Sequence, residues 1–598
     1  GWSIPSGRVF YHLQDVAAPV ELAEAQAHFF RPRRFRDPFG QITAVDYDAH
    51  DLLPARSADA AGNVTLAEYD YRVLLPRLLT DPNRNRAAAA FDALGLVTGT
   101  AVMGRPAPAP AEGDSLVGFP ADPTQAQFDA FFAAADPHAL AAPLLGNATT
   151  RILYDLDGWM LHGRPATAAT LARETHANPP SPGELKIQLR FSYSDGFGRE
   201  IQKKLQAEPG PTPRRNAEGQ IILGADGQPE MTAADTDPRW VGSGWTIFNN
   251  KGKPVRRYEP FFSDTHQFEF GVTAGVSPIL FYDPPGRVVA TVHPNHSWEK
   301  AVFDPWQQTT YDTNDTATLD PAADADVGGF FVNADATPRL PDDEYQPTWH
   351  ALRTDPAHAA LFAARYPDAT LRAAETAAAG KAAAHADTPT IAHFDALGRP
   401  FLTLADNGPD PAQPGQHLRF ATRVKLDIEG NQCEVRDAIA QAGDSRGRAI
   451  MRTAYDMLGN RLHQSSLEAG ARWLLNDAAG KPIRAFDSRG FARRMTYDAL
   501  RRPTGLFVTE NGAERLAERT VYGEGQGDAA NHRGRVYQVF DGAGVATSDA
   551  YDFKGNLLAG RREMLADYQA VVNWLNPAPA MLGTFTSSTT YDALNRLT

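Results

Sequence analysis

Six aspartates recur at one interval between Arg31 and Thr100. Asp37, Asp48, Asp59, Asp70, Asp81 and Asp92 each follow the last by eleven residues. Gly40, Gly62 and Gly95 follow three of them by three positions. A fixed period constrains a fold more than composition does, because it repeats one local structure along the chain. Asp-x-x-Gly is a type I turn signal, with Asp capping the first position and Gly accepting the left-handed conformation at the last. Taking four turn residues from eleven leaves about seven for a strand, which spans roughly 23 Å at about 3.3 Å per residue. Strands joined by turns this short are antiparallel neighbours. The period therefore predicts a meander that gains one strand per repeat.

The signature returns further along, at Asp395 with Gly398, Asp456 with Gly459, Asp498, and Asp552 with Gly555. Asp395 and Asp406 are again eleven apart, as are Asp541 and Asp552. Tyrosine directly precedes the aspartate at Tyr455, Tyr497, Tyr551 and Tyr591. Neighbours on a strand point to opposite faces, so the tyrosine covers one surface while Asp begins the turn.

The chain divides on this pattern. Residues 1–105 read as repeat sheet, and 106–184 as an irregular, helical insertion. Within the insertion, Phe128, Phe131 and Phe132 stand at helical spacing, and Ala166 to Ala177 reads as a short helix. Residues 185–330 return to sheet, with a hairpin about Ser194–Gly198 and a Pro/Gly/Asp-rich excursion at 207–237. Residues 331–390 are Ala-rich and helical, and 391–598 are repeat sheet ending in an open edge. Such a fold is mainly β, a long antiparallel strip with small helical insertions. A strip of this length should curl under its own twist. Polar residues such as Gln41, Thr43, Lys186 and Gln188 alternate with apolar ones, which predicts one packed face and one wet face.

Totals exclude several classes. A chain of 598 residues would ordinarily hold about four domains, but repeats grow by stacking and override that prior. No run approaches the ~18 apolar residues of a membrane helix. Cys433 is the single cysteine, so there is no intrachain disulfide and no zinc–cysteine cluster. A net charge of −14 argues against nucleic acid as the main partner. The basic run Arg31–Arg36 reads as a solvated strand face. The chain starts without Met or a signal-peptide pattern and stops inside a repeat, so both ends read as cut from something larger.

No catalytic, cofactor or metal constellation emerges. His293, His296 and Glu299 sit about a Pro-containing turn with no third ligand to name. Ser243 lies in Gly-Ser-Gly, which is not a nucleophile elbow. Asp342 and Asp343 read as an acidic helix start. One aspartate per eleven residues suits its own turn better than a calcium loop, which needs converging oxygens. Trp240, Trp245, Trp298 and Trp306 raise the alternative of a carbohydrate- or protein-binding adhesion module, though aromatics anchoring a sheet are commoner.

The pattern Tyr-Asp-x-x-Gly-Arg/Asn resembles the YD or Rhs repeat of bacterial polymorphic toxins and animal teneurins. Longer stretches, among them Arg33–Gly40, Tyr69–Thr80, Gly242–His266 and Gly286–Thr310, resemble the B component of tripartite insecticidal Tc toxins. That resemblance implies a secreted, non-enzymatic component, made in the bacterial cytoplasm, that forms a hollow shell with a C component around an unfolded toxin cargo. It implies no cofactor. The family's upstream β-propeller half, which docks on the pore-forming A component, is missing from this stretch, as are the Rhs core motif and aspartyl autoprotease residues of the C component. Neither gating nor self-cleavage is therefore implied. The open repeat at Tyr591, Asp592, Leu594 and Leu597 is the expected edge for a strand from the C component.

Overall fold

The computed structural model describes residues 7–178, 185–217, 219–224, 229–335, 337–440 and 443–598. Strand accounts for 40% of the chain and helix for 13%, so the protein is mainly β. Among the described residues the strands form two antiparallel sheets, of 14 and 21 members, and neither is a closed barrel. Contacts divide the chain into two units, Gly1–Glu200 with Arg472–Thr598, and Ile201–Ala471.

In the first unit the repeats fold as the period predicts. Arg34–Arg36, Ile42–Tyr47, Pro54–Ala58, Val64–Asp70, Leu75–Thr80, Arg86–Phe91 and Val97–Met103 each pair antiparallel with the next. A second run goes from Pro482–Asp487 to Met581–Ser588 in the same manner. Residues 104–149 leave the sheet and cover it. Helix Gln125–Ala133 starts at a capping box between Thr124 and Gln127 and buries Phe131 and Phe132 against Phe191. Arg151 is fully buried there; its guanidinium lies 4.4 Å over Phe119 and donates to the Leu144 and Ala121 carbonyls. Burial lowers its pKa to about 10.

Two expectations are corrected in this unit. Ala166–Arg173 is a strand, not a helix. It pairs on both sides, with Thr150–Asp155 and Ile187–Ser194, and every second residue is buried. Burial at period two against two neighbours outweighs the helical propensity of its alanines. The basic run is not a solvated face either. Arg34 is buried, stacks 4.4 Å from the Phe10 ring and pairs with Asp15, while Arg33 pairs with Glu24.

In the second unit, strands Thr246–Phe248 through Gln307–Tyr311 lead into helices Trp349–Thr354, Ala359–Arg365 and Ala369–Ala383, and the meander restarts at Thr390–Phe394. The excursion after Ala207 is a loose double strand held by isolated bridges such as Gly210↔Thr236 and Pro213↔Met231. Trp298, Phe331, Tyr345, Val292 and Ile279 form this unit's hydrophobic core. Burial, aided by a hydrogen bond to Asp342, pushes the Tyr345 phenol up to about 12.

The expected packed face is missing from a long part of the strip. From Thr390 to Ser466 in this unit, and from Pro482 to Glu510 in the first, no hydrophobic side chain among the described residues is buried. Backbone ladders and half-exposed cross-strand pairs hold these strands instead. Arg494, for example, lies 3.7 Å over Phe507 and pairs with Glu514 at 2.7 Å.

Candidate functional site

The repeated corner is a closed hydrogen-bonded unit. At Asp37, Asp59, Asp92, Asp395, Asp456, Asp498 and Asp552, one carboxylate oxygen accepts the backbone N–H groups two and four residues on, at 2.8–3.0 Å. The aspartate's own N–H donates to the carbonyl four residues on. This is a type I turn followed by a left-handed residue. Gly40, Gly62, Gly95, Gly398, Gly459 and Gly555 fill that last position with φ between 73° and 99°. Asp51 and Arg84 fill it after Asp48 and Asp81 with φ of 52° and 68°, whereas the turn after Asp70 is one residue longer and its left-handed residue is Leu74, four positions on. A non-glycine residue there costs about 1–2 kcal/mol, so the carboxylate caps are strong enough to impose the turn.

The second carboxylate oxygen is taken by the side chain four residues on. Arg399 and Arg502 bond Asp395 and Asp498 at 2.7 Å. Asn63, Asn460 and Asn556 do the same for Asp59, Asp456 and Asp552 at 2.9–3.0 Å. The tyrosine before the aspartate ties the corner to the start of the preceding strand. Tyr47, Tyr69, Tyr497 and Tyr551 donate from their hydroxyls to the carbonyls of Pro32, Pro54, Pro482 and Val536, at 2.6–3.1 Å. Carboxylates so committed to donors do not converge on a cation. Replacing Asp552 with alanine, which strands the N–H groups of Lys554 and Asn556, is expected to cost about 1–2 kcal/mol in denaturant unfolding.

Asp406 keeps the eleven-residue interval but begins no corner. It lies within strand Pro400–Pro409 and accepts from His417 and Arg419, because an inserted Pro/Gly segment carries the hairpin on to a turn at Asp410.

Within the first unit, corners of its two runs meet at a seam that the sequence reading missed. Asn85 bonds Asn531 at 2.9 Å, and Asn83 exchanges hydrogen bonds with the Arg533 backbone. Glu524 accepts from Asn63 and Arg502, and Arg105 donates to the carbonyls of Asp528 and Ala529. Apart from Arg502 and Glu524, the partners are more than 400 residues apart, so no local pattern announces them. Asn63 and Asn85 stand four residues after an aspartate, but so does Asn460, which bonds its own Asp456, so that position does not mark the seam.

The terminal repeat is a small closed hairpin. Asp592 caps Leu594 and Arg596, Tyr591 bridges Leu597, and Thr598 N–H donates to the Thr590 carbonyl. Ala593 is buried with its N–H on the Glu174 carbonyl, and Arg596 pairs with Glu174 at 2.9 Å. The outermost strand of that sheet is Met581–Ser588, which pairs with Leu557–Leu565 and is exposed along most of its length.

Other candidates resolve as structure. His293 begins a turn in which His296 takes the left-handed position and bonds the Pro347 carbonyl, and His293 lies 4.0 Å from Glu299. Ser243 exchanges hydrogen bonds with the Lys203 backbone. Asp342 and Asp343 open a 3₁₀ turn, Asp342–Glu344. Trp240 and Trp298 are core residues and Trp245 packs on Phe270, leaving Trp306 exposed. Cys433 is half-buried on strand Gln432–Arg436.

The corners and strands together define a repeat-built antiparallel β strip. The same fold occurs in the crystal structure of TcdB2-TccC3, at 22% identity and TM-score 0.72, with 96% of this chain and 24% of that chain covered. It occurs in TcdB2-TccC3-Cdc42 at 21% identity and TM-score 0.71, covering 96% of this chain and 27% of that one. The Photorhabdus luminescens Tc holotoxin pore matches at 20% identity and TM-score 0.71, covering 95% and 26%. The chain thus spans about a quarter of the length of these structures' chains. No family model and no curated protein matches the sequence.

Proposed function

We propose that the chain is a non-catalytic component of a secreted toxin complex. Its strip, with a partner C component, encloses an unfolded toxin polypeptide before translocation. The observation that carries this reading is the run of strands from Thr390 to Glu510, whose two faces stay half-exposed. A sheet that buries no hydrophobic side chain along this run yet has self-closed corners suits a wall better than a globular core. The likeness of fold to TcdB2-TccC3 supports the same reading. In this account the C component adds a strand beside the outermost strand Met581–Ser588, whose edge offers unpaired backbone groups. Contact with a pore-forming A component runs through regions upstream of this stretch.

The test is co-expression with the product of the adjacent reading frame, followed by gel filtration and limited proteolysis. The reading predicts a co-eluting complex in which the toxin segment resists protease until the complex is denatured. Separate elution, with the segment digested as fast as when free, would contradict it.

A further inference from the structure

A groove of about 840 Å³ opens in the first unit between helix Gln125–Ala133, the corner at Asp92, and the short helix Gly158–His162. Phe128 and Phe132, with ring centroids 4.7 Å apart, supply its aromatic lining from one side. Leu94 and Leu161 line it from the others and are 73% and 68% exposed. Next to Leu161, Trp159 and Met160 are exposed still further out, at 71% and 84%. So much apolar surface in one place marks a contact site. None of these side chains is needed for the repeat corner.

The polar groups around the groove select the occupant. Asp129, Asp155 and Asp157 all line it. Arg164 approaches Asp155 at 3.6 Å, whereas no ion pair among the described residues reaches Asp129 or Asp157. Asp157 caps helix Gly158–His162 without a side-chain bond to it. An occupant therefore meets apolar pockets beside Asp129, which accepts from the neutral Gln125 amide at 2.8 Å, and Asp157, with His162 and Arg164 as the basic residues of the lining. Anionic lipid headgroups are disfavoured by the carboxylates, whereas lysine or arginine flanking apolar anchors complements them.

We propose that this groove binds a Lys/Arg-rich segment of a partner polypeptide through its apolar side chains. The proposal does not depend on the shell reading, since it concerns one groove and a short segment. It is tested on the intact chain by fluorescence anisotropy with a labelled amphipathic Leu/Lys peptide and its Leu/Glu counterpart. Saturable binding of the Leu/Lys peptide, at least about tenfold tighter than the Leu/Glu peptide, is expected. Leu161→Ser should weaken it roughly tenfold, and Asp129→Asn with Asp157→Asn should remove most of the preference for Lys over Glu. Leu161, Asp129 and Asp157 are exposed, so these variants leave the core intact. Equal binding of both peptides, or binding unchanged by all the substitutions, overturns the proposal. So does binding to phosphatidylcholine vesicles that Trp159→Ser abolishes while neither peptide binds, because the site would then be a membrane contact.

Discussion

Alanine in place of Trp298 is expected to destabilise the second unit by about 3–5 kcal/mol, the cost of emptying a large aromatic site in a packed core. Trp298 is 2% exposed and packs among Ile279, Val292, Phe331 and Tyr345. Its indole N–H donates to the Leu319 carbonyl, and the Thr316 hydroxyl donates to the Trp298 backbone carbonyl. The tryptophan thus fastens the non-sheet segment from Asp312 to Tyr345 onto strand Trp298–Phe303. Removing it leaves a cavity and a carbonyl without its donor. Hydrogen exchange should show protection lost first around Ile279–Tyr345, while the meander after Thr390 keeps its own ladders. Trp298→Phe should recover part of the loss. A change below about 1 kcal/mol would show that this segment is held by something else.

The second large effect is acid sensitivity, because a carboxylate held below its ordinary pKa recurs along the meander after Thr390. The Arg399 side chain holds the Asp395 carboxyl below its ordinary pKa, and Asn431 and Asn460 do the same for Asp427 and Asp456. A pKa lower in the folded state than in the unfolded chain means that the folded state binds protons less readily. That stability is present above the unfolded value of about 3.9 and is lost as pH falls through it toward the folded value. Each contribution is small at these exposed corners, but the same lowering recurs at Asp48, Asp195, Asp283 and Asp487, so the effects add. Thermal unfolding followed from about pH 6 to about pH 3 should show Tm falling steeply below about pH 4. The triple variant Asp395→Asn, Asp427→Asn, Asp456→Asn should start from a lower Tm at neutral pH and fall more shallowly. An identical slope in both proteins would mean that acid acts elsewhere.

Particular residues show what was legible in the sequence. The corner at Asp37 could be read because its bonds are local: the carboxylate reaches only to Phe39 and Gln41. Asp406 misled, since an insertion two residues later moved the turn while leaving the interval intact. Ala166–Arg173 misled in the other direction, because alanine favours helix until a sheet offers partners on both sides. Trp240 and Trp298 anchor the core, the commoner of the two readings their sequence allows, and only tertiary packing sets them apart from the exposed Trp306. By its repeat pattern the terminal repeat is the expected open edge, yet its own hairpin and Glu174 use its backbone donors, and the outermost strand is Met581–Ser588. The seam at Asn85 and Asn531 joins residues far apart in the chain, and no period or motif encodes such a meeting.

The most direct test of the account is an electron-microscopy envelope of the chain purified with the adjacent reading frame's product. A wall of strands around a lumen without dense protein is the predicted result. A solid body, with the half-exposed faces of residues 390–510 packed against one another, would contradict it.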